Sequence, residues 1–211
     1  PAQNSQKYFK EYKKTYTAEK KLKEQIASGI EELAYIETVL DALSRVECEK
    51  DIAVIREELR QGGYIKSKFE QKGKLSKKEQ KTPSSLPPIE YRTTDGFRVL
   101  VGRNNLQNDK LSMKQANKLD MWMHTKDFPG SHVIIENQNG VVSDQAIEEA
   151  AVIAAFHSTA GESGAKQIPV DYTLVKNLKK PTGAKPGKVI FHENWTIYVT
   201  PDESLISKLR V

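Results

Sequence analysis

Between Leu22 and Leu43 the apolar residues return in alternating steps of four and three. They are Leu22, Ile26, Leu33, Ile36, Leu40 and Leu43, with Gly29 filling one place in the series. Such steps keep a line of residues on one side of a helix, and three heptads of it predict a coiled-coil seam. The register runs back more weakly through Tyr8, Tyr12, Thr15 and Glu19, while Glu31 and Glu32 fall on the polar flanks. One helix of this length cannot bury its seam alone. The pattern therefore calls for self-association through the arm, or for an upstream coiled-coil helix ahead of the proline that now begins the chain. A short second helix is expected over 50–61, with Asp51 as its cap and Ile52, Ile55 and Leu59 as its stripe. Gly62-Gly63 would end it. Together these define a coiled-coil arm over residues 1–65.

The periodicity fails over residues 66–88. Seven lysines, three prolines and few apolar residues predict a basic flexible linker there. Alternation resumes at Ile89. Two β-rich runs, 89–93 and 97–102, flank Asp95-Gly96, a strong hairpin signal. Arg103-Asn104-Asn105 reads as a polar turn. Ser112 with Gln115 three residues later resembles a capping box for a helix to Leu119. Strands are expected over 120–125, 131–136 and 170–175, and a second hairpin from 188–192 and 196–200. A helix over 144–158 carries Ile147, Ala151, Ala154 and Ala155 as a small-residue face for packing on a sheet. Residues 89–211 thus read as an α+β domain: a largely antiparallel sheet of about seven strands with two helices, preceded by the long helical arm.

Charge sharpens this division. Residues 1–23 hold seven Lys against two Glu, residues 24–65 four basic against ten acidic side chains, and residues 66–88 seven Lys against two Glu. Residues 89–211 are nearly balanced, with fifteen basic and fourteen acidic side chains. Polyanion contacts by that domain must come from local patches. No apolar run reaches the roughly 18 residues of a membrane span. The first residues show no apolar signal-peptide core. The single cysteine, Cys48, fits a reducing, cytoplasmic setting.

Chemistry-bearing motifs are few. Nucleotide loops, nucleophile elbows and metalloprotease motifs are absent. His124, His132, His157 and His192, with Asp120 or Asp127, match no metal-ligand spacing. Neither an enzymatic activity nor a cofactor is expected. The richest segment runs from Asp120 through Trp122, His124 and Lys126 to Ser131 and His132. On a strand, Asp120, Trp122, His124 and Lys126 would share one face. Aromatic and cationic groups there can stack a base and hold a phosphate; equally, Trp122 can be core and His124 a buried, satisfied histidine. The loop 176–188 holds Lys176, Lys179, Lys180, Lys185 and Lys188 and no acid. It reads as a phosphate-facing or a solubilising loop.

Several ordered motifs resemble one family. They are Asp95-Gly96-Phe97, Gly102-Arg103-Asn104-Asn105, Gln107-Asn108-Asp109, the 120–132 run, Val170-Asp171-Tyr172-Thr173 and Lys179-Lys180-Pro181 through Gly187. These look like the NFACT-R domain, and Asn4 to Tyr12 with the arm resemble the later coiled-coil region of the NFACT family. The likeness points to its Gram-positive RqcH group, also called fibronectin-binding protein A. It implies an RNA- and ribosome-binding part of a ribosome-quality-control factor. Such factors act on stalled large-subunit nascent-chain complexes with tRNA, and the ribosome itself performs alanine tailing. The segments that precede this region in the family are not matched. The resemblance implies a nucleic-acid surface from Arg103, Asn104, Asn105, Asp109, Trp122, His124, Lys126, Ser131 and His132, to which the loop adds Lys179, Lys180 and Lys185. Arg103 and Lys126 would meet phosphate, Trp122 would stack or pack, and Asn105 would hold the turn or a base edge.

The competing reading is an adhesin fragment binding host fibronectin at the cell surface without signal peptide or anchor, by strand addition at a sheet edge. A hydrolase using His124 and Asp120 is the third, and would require turnover that disappears in His124→Ala.

Overall fold

The computed structural model describes residues 1–66, 86–137 and 140–211. The linker expected at 66–88 lies, apart from its ends, outside the described residues. The described chain divides into two units, Pro1–Glu37 and Thr38–Val211; the boundary falls within the arm that the periodicity places at 1–65. The first unit belongs to α1, a helix of 43 residues, Ala2–Ser44. Its seam residues Leu22, Ile26 and Leu33 are exposed.

The second unit opens with the last turns of α1 and with α2 (Glu49–Gln61). The N-cap of α2 is Cys48, which makes no side-chain capping bond, so Asp51 is not the cap. Asp51 is instead buried in the first turn, 3.6 Å from Arg103. A six-stranded antiparallel sheet follows, in the order β1-β2-β4-β3-β5-β8. Its strands are β1 (Ile89–Arg92), β2 (Arg98–Val101), β3 (Met121–Thr125), β4 (Val133–Ile135), β5 (Ile168–Leu174) and β8 (Trp195–Val199). The β1–β2 hairpin turns at Asp95-Gly96 as expected, with Gly96 at φ +94°, where a side chain would be strained. This is the α+β architecture that the pattern predicts, behind its long helix.

Alternation along β3 decides the layering. Met121 and Met123 point to one face, Trp122 and His124 to the other. The methionine face carries the main core: Val99, Val101, Val133, Ile135, Ile168 and Val170 against α4 (Asp144–Phe156). Ser143 caps α4 by accepting from the Ala146 amide at 3.0 Å. Ala150, Ala151, Ala154 and Ala155 are fully buried, and their small side chains let the helix lie close on the sheet. Two short helices, α5 (Thr159–Glu162) and α6 (Glu203–Leu209), add to the two expected.

The Trp122 face is covered by a second, thinner layer. Its first part is α3 (Asn105–Lys110), which runs into a π-helical turn, Leu111–Gln115. Its second is the small sheet of β6 (Leu178–Lys179) and β7 (Ile190–Phe191). Two expectations change here. Arg103-Asn104-Asn105 is a helix start, not a turn: the Asn104 side chain accepts from the Gln107 amide at 2.9 Å, and Gln107 Oε1 accepts from the Arg103 amide at 2.8 Å. The first bond satisfies one orphan donor of α3 and the second fixes the chain entering it, so the helix begins seven residues before Ser112. Nor do β7 and β8 form a hairpin. The turn at Glu193-Asn194 carries the chain between sheets, and β8 pairs with β5.

Two predictions follow from this packing. Asn104→Ala should lower unfolding stability by about 1 kcal/mol, the typical cost of losing such a cap, measured by urea denaturation. The second concerns buried histidines. Tyr91 Oη and His157 Nε2 share a 2.8 Å hydrogen bond inside the core, and burial drives the His157 pKa down to about 3. Burial likewise drives that of His132 to about 3. Both stay neutral in the folded chain, whereas the unfolded chain protonates near the ordinary value of about 6.5. The unfolded state thus binds more protons between these limits. Stability should be complete above about pH 7 and fall as pH drops from 6.5 toward 3. His157→Gln should flatten that decline when urea midpoints are compared at several pH values.

Candidate nucleic-acid interface

Beyond Asp109 of α3, the layer over Trp122 is built from two acid-free segments. Residues 110–119 carry Lys110, Lys114 and Lys118, and residues 175–192 carry Lys176, Lys179, Lys180, Lys185 and Lys188. Their apolar residues fix both to the sheet. Leu111, Leu178 and Ile134 are buried around Trp122, with Ala116, Val175, Val189 and Phe191 packed at the margin. The Lys176 amide donates to the Lys118 carbonyl at 3.1 Å, which joins the two segments edge to edge. The lysines point out, beside the exposed side chains of Met113, Leu119 and Ile190. Lys110, Lys114, Lys118, Lys176 and Lys179 are all exposed. On the opposite side of the sheet, α4 exposes Asp144 and Glu148. A nearly neutral domain thus concentrates lysines locally on this layer.

Several expected site residues serve the scaffold of this layer. Trp122 is 2 % exposed and packs, with its ring 5.2 Å from Phe191 and edge-on to His132 at 5.2 Å. It is core, not an open stacking platform. His124 lies parallel to the indole at 5.9 Å, and His132 Nδ1 bonds Ser112 Oγ at 2.7 Å. Burial lowers the pKa of both histidines, so neither offers phosphate a positive charge at neutral pH. Asp109 pairs with Lys180 and accepts from the Gly187 amide at 3.1 Å. These contacts tie the lysine loop to α3. Gly187 sits at φ +81°, and a Cβ there would meet Asn105 Oδ1 at 2.7 Å, so the loop can close only on glycine.

A second group faces the helical stem within the same unit. The Asn105 amide donates to Thr38 Oγ1 at 2.9 Å and Glu58 Oε1 at 3.1 Å. Arg103 reaches Glu47 at 3.0 Å, and Arg210 reaches the same carboxylate at 2.6 Å. The Arg210 hydrogen bond holds Glu47 below the usual carboxylate range. Ser131 is buried and accepts from Arg45 at 3.3 Å, while Arg45 is held by Asp41. Lys185 donates to Tyr64 Oη at 2.7 Å and lies over its ring. Asn104 is the cap of α3, as described above. Of the twelve expected residues, Lys126 and Lys179 are exposed, and Lys126 lies away from the layer, beside Pro169. Lys110, Lys114 and Lys118 went unnoticed in the sequence; the signal available was a ten-residue run with three lysines and no acid.

Comparison with known proteins identifies the family. Residues 88–193 match the NFACT protein RNA binding domain, and residues 1–80 match the NFACT N-terminal and middle domains. The whole chain is 42% identical over 211 residues to the Rqc2 homolog RqcH of Bacillus subtilis (strain 168), of which it covers 35%. It is 41% identical over 212 residues to the Rqc2 homolog RqcH of Streptococcus suis (strain 05ZYH33), covering 36%. The chain thus spans about a third of the length of these relatives. A solved structure, the C-terminal part of the fibronectin/fibrinogen-binding protein from Streptococcus suis, superposes with a TM-score of 0.86 at 38% identity. That match covers all of this chain and 80% of the other. The chain belongs to the NFACT family.

Proposed function

We propose that this chain is the RNA-binding part of a ribosome-quality-control factor, and that the lysine-rich layer over Trp122 is its RNA-facing surface. In this reading the intact protein acts on large ribosomal subunits that retain a stalled nascent chain. It engages tRNA during alanine tailing, and the ribosome supplies the peptide transfer. One observation carries the reading: eight lysines and no acid in two segments bound to the sheet by one apolar cluster, inside the region matching an RNA-binding domain. Lysines act as point charges toward phosphate, so the layer would position RNA through its backbone.

A fibronectin-binding role is the second reading. The name of the Streptococcus suis neighbour suggests it, and one feature of this chain favours it. Strand β8 ends the sheet with Trp195 and Tyr198 55% and 66% exposed, and no charge lies between Trp195 and Thr200. Uncharged edges of this kind accept an added strand.

One experiment separates the two. Binding of the chain to tRNA and to fibronectin is measured in parallel at about 50 and 200 mM salt, a range over which phosphate contacts lose orders of magnitude in affinity. The expected result is salt-sensitive tRNA binding. Replacing Lys110, Lys114, Lys118, Lys176 and Lys179 by Gln should then weaken binding and lower the salt slope by roughly one per contacting lysine. Salt-tolerant fibronectin binding, lost in Tyr198→Lys, with no tRNA binding would establish the second reading instead.

A further inference from the structure

Lysines hold phosphates but cannot tell one base from another. At the margin of the layer lies a cleft with the chemistry they lack. It measures about 230 Å³ and lies between the π-helical turn and the strands β2 and β4. Its walls are apolar. Leu100 and Ile134 come from the strands, and Leu111 and Ala116 from the turn. Leu100 and Ile134 face each other across the β2–β4 pair, so their side chains stand together on one face. The turn is closed by the Ala116 amide, which donates to the Leu111 carbonyl at 2.9 Å. That bond spans one residue more than an α-helical one, and such turns recur at functional sites.

The rim of the cleft is polar: Arg98, Gln115, Asp120 and Glu136. Arg98 is held by Glu90 at 2.7 Å and by Glu136 at 3.0 Å. Asp120 is buried, and it accepts from the amides of Asn117 at 2.7 Å and Asn137 at 2.9 Å. The backbone thus fixes one carboxylate and an arginine steadies the other. An ionised carboxylate has about four lone-pair sites, so both keep acceptor capacity. Lys114 and Lys118 flank Gln115 and Ala116 in the chain, and both are exposed. From this arrangement we infer that the cleft binds a single guanine base of an unpaired RNA strand whose phosphates lie on Lys114 and Lys118. The inference rests on the RNA-binding reading and deepens it.

Size and charge select that ligand. The volume falls below the roughly 300–1,000 Å³ of sites for drug-sized molecules, which leaves room for one flat ring system between apolar walls. One cation faces two carboxylates at the rim, so a phosphate is repelled from the interior. A basic side chain of a partner protein would meet the like charges of Lys114 and Lys118 beside the cleft. What fits is a neutral ring that presents donors to the carboxylates. Guanine sets two adjacent N–H donors on its Watson–Crick edge, with the O6 acceptor beside them for the Gln115 amide. Uracil flanks its one ring N–H with carbonyl oxygens, and adenine and cytosine each place a ring acceptor beside the amino group. Base pairing would cover this edge, so the strand must be unpaired, as in most sequence-specific RNA recognition.

The test titrates the 211-residue chain with short uridine RNAs that carry one central G, A, C or U. The unchanged chain should prefer the G strand about tenfold, the scale of one well-made base contact. Glu136→Gln replaces an acceptor by an amide of the same shape and should abolish that preference while leaving the salt slope unchanged. Ala116→Leu fills the cleft and should do the same, so the result does not hang on one variant; circular dichroism checks both folds. Changing Lys114 and Lys118 to Gln should weaken all four strands alike and lower the slope by about two, roughly one per lysine. Equal affinity of the unchanged chain for the four strands would overturn the guanine site and leave the RNA-binding reading standing. A G preference that survives in both cleft variants would overturn it as well. Absence of binding to any strand would remove both readings together. N-acetylarginine amide, the probe for a basic side chain, should not bind; binding lost in Glu136→Gln would reassign the cleft to a protein partner.

Discussion

Everything in the domain depends on burying strand β3 on both faces. Met121 and Met123 turn to one side, Trp122 to the other, and all are buried. A strand buried twice needs two covering layers. The first is the alanine-rich α4, thick and apolar on its inner side. The second must be assembled from short pieces: a six-residue helix, a π-turn and two two-residue strands. Pieces this short bury little on their own. They hold because Trp122 gives them a large apolar anchor, with Leu111, Leu178 and Phe191 around it. The indole Nε1 has no hydrogen-bond partner among the described residues, so the anchor acts through packing and dispersion.

The outer side of that thin layer then has to be solvated, and lysine is its only charged means of doing so across 110–119 and 175–192. Structural cover and basic surface are therefore the same residues seen from two sides. The polar stem contacts complement this division. Arg103, Arg45 and Arg210 meet Glu47, Asp41 and Asp51, with Asn105 bridging Thr38 and Glu58. Arginine spends its planar donor fork on internal carboxylates, whereas lysine is left on the surface as a flexible point charge. The arginine of the family motif was a natural candidate for phosphate, and the fold gives it a carboxylate instead.

Much of this was legible in the pattern of residues. The Asp95-Gly96 hairpin, the strands around Trp122 and the alanine face of α4 all follow from period and turn chemistry. What was hidden has a common cause. Strand β6 is two residues long and carries no periodicity of its own, so β7 was assigned its sequence neighbour β8 as partner. The start of α3 was masked because Asn104 caps as well as it turns, and Ser112 offered a rival signal. Whether Trp122 was platform or core could not be read from alternation, which reports a shared face but not what covers it. Likewise, Lys180 and Lys185 looked free because Asp109 and Tyr64 lie 71 and 121 residues away. Pattern reading resolves local geometry; long-range partners decide which charges remain available.

The lysine layer is limited in what it can discriminate. Point charges on flexible stems carry no donor and acceptor pattern, so a surface of this kind does not read a base. Any polyanion it met would be held through charge, with an affinity that falls steeply as salt rises. What the fold adds is placement: the layer is compact because Trp122 and the sheet beneath it fix where its lysines stand.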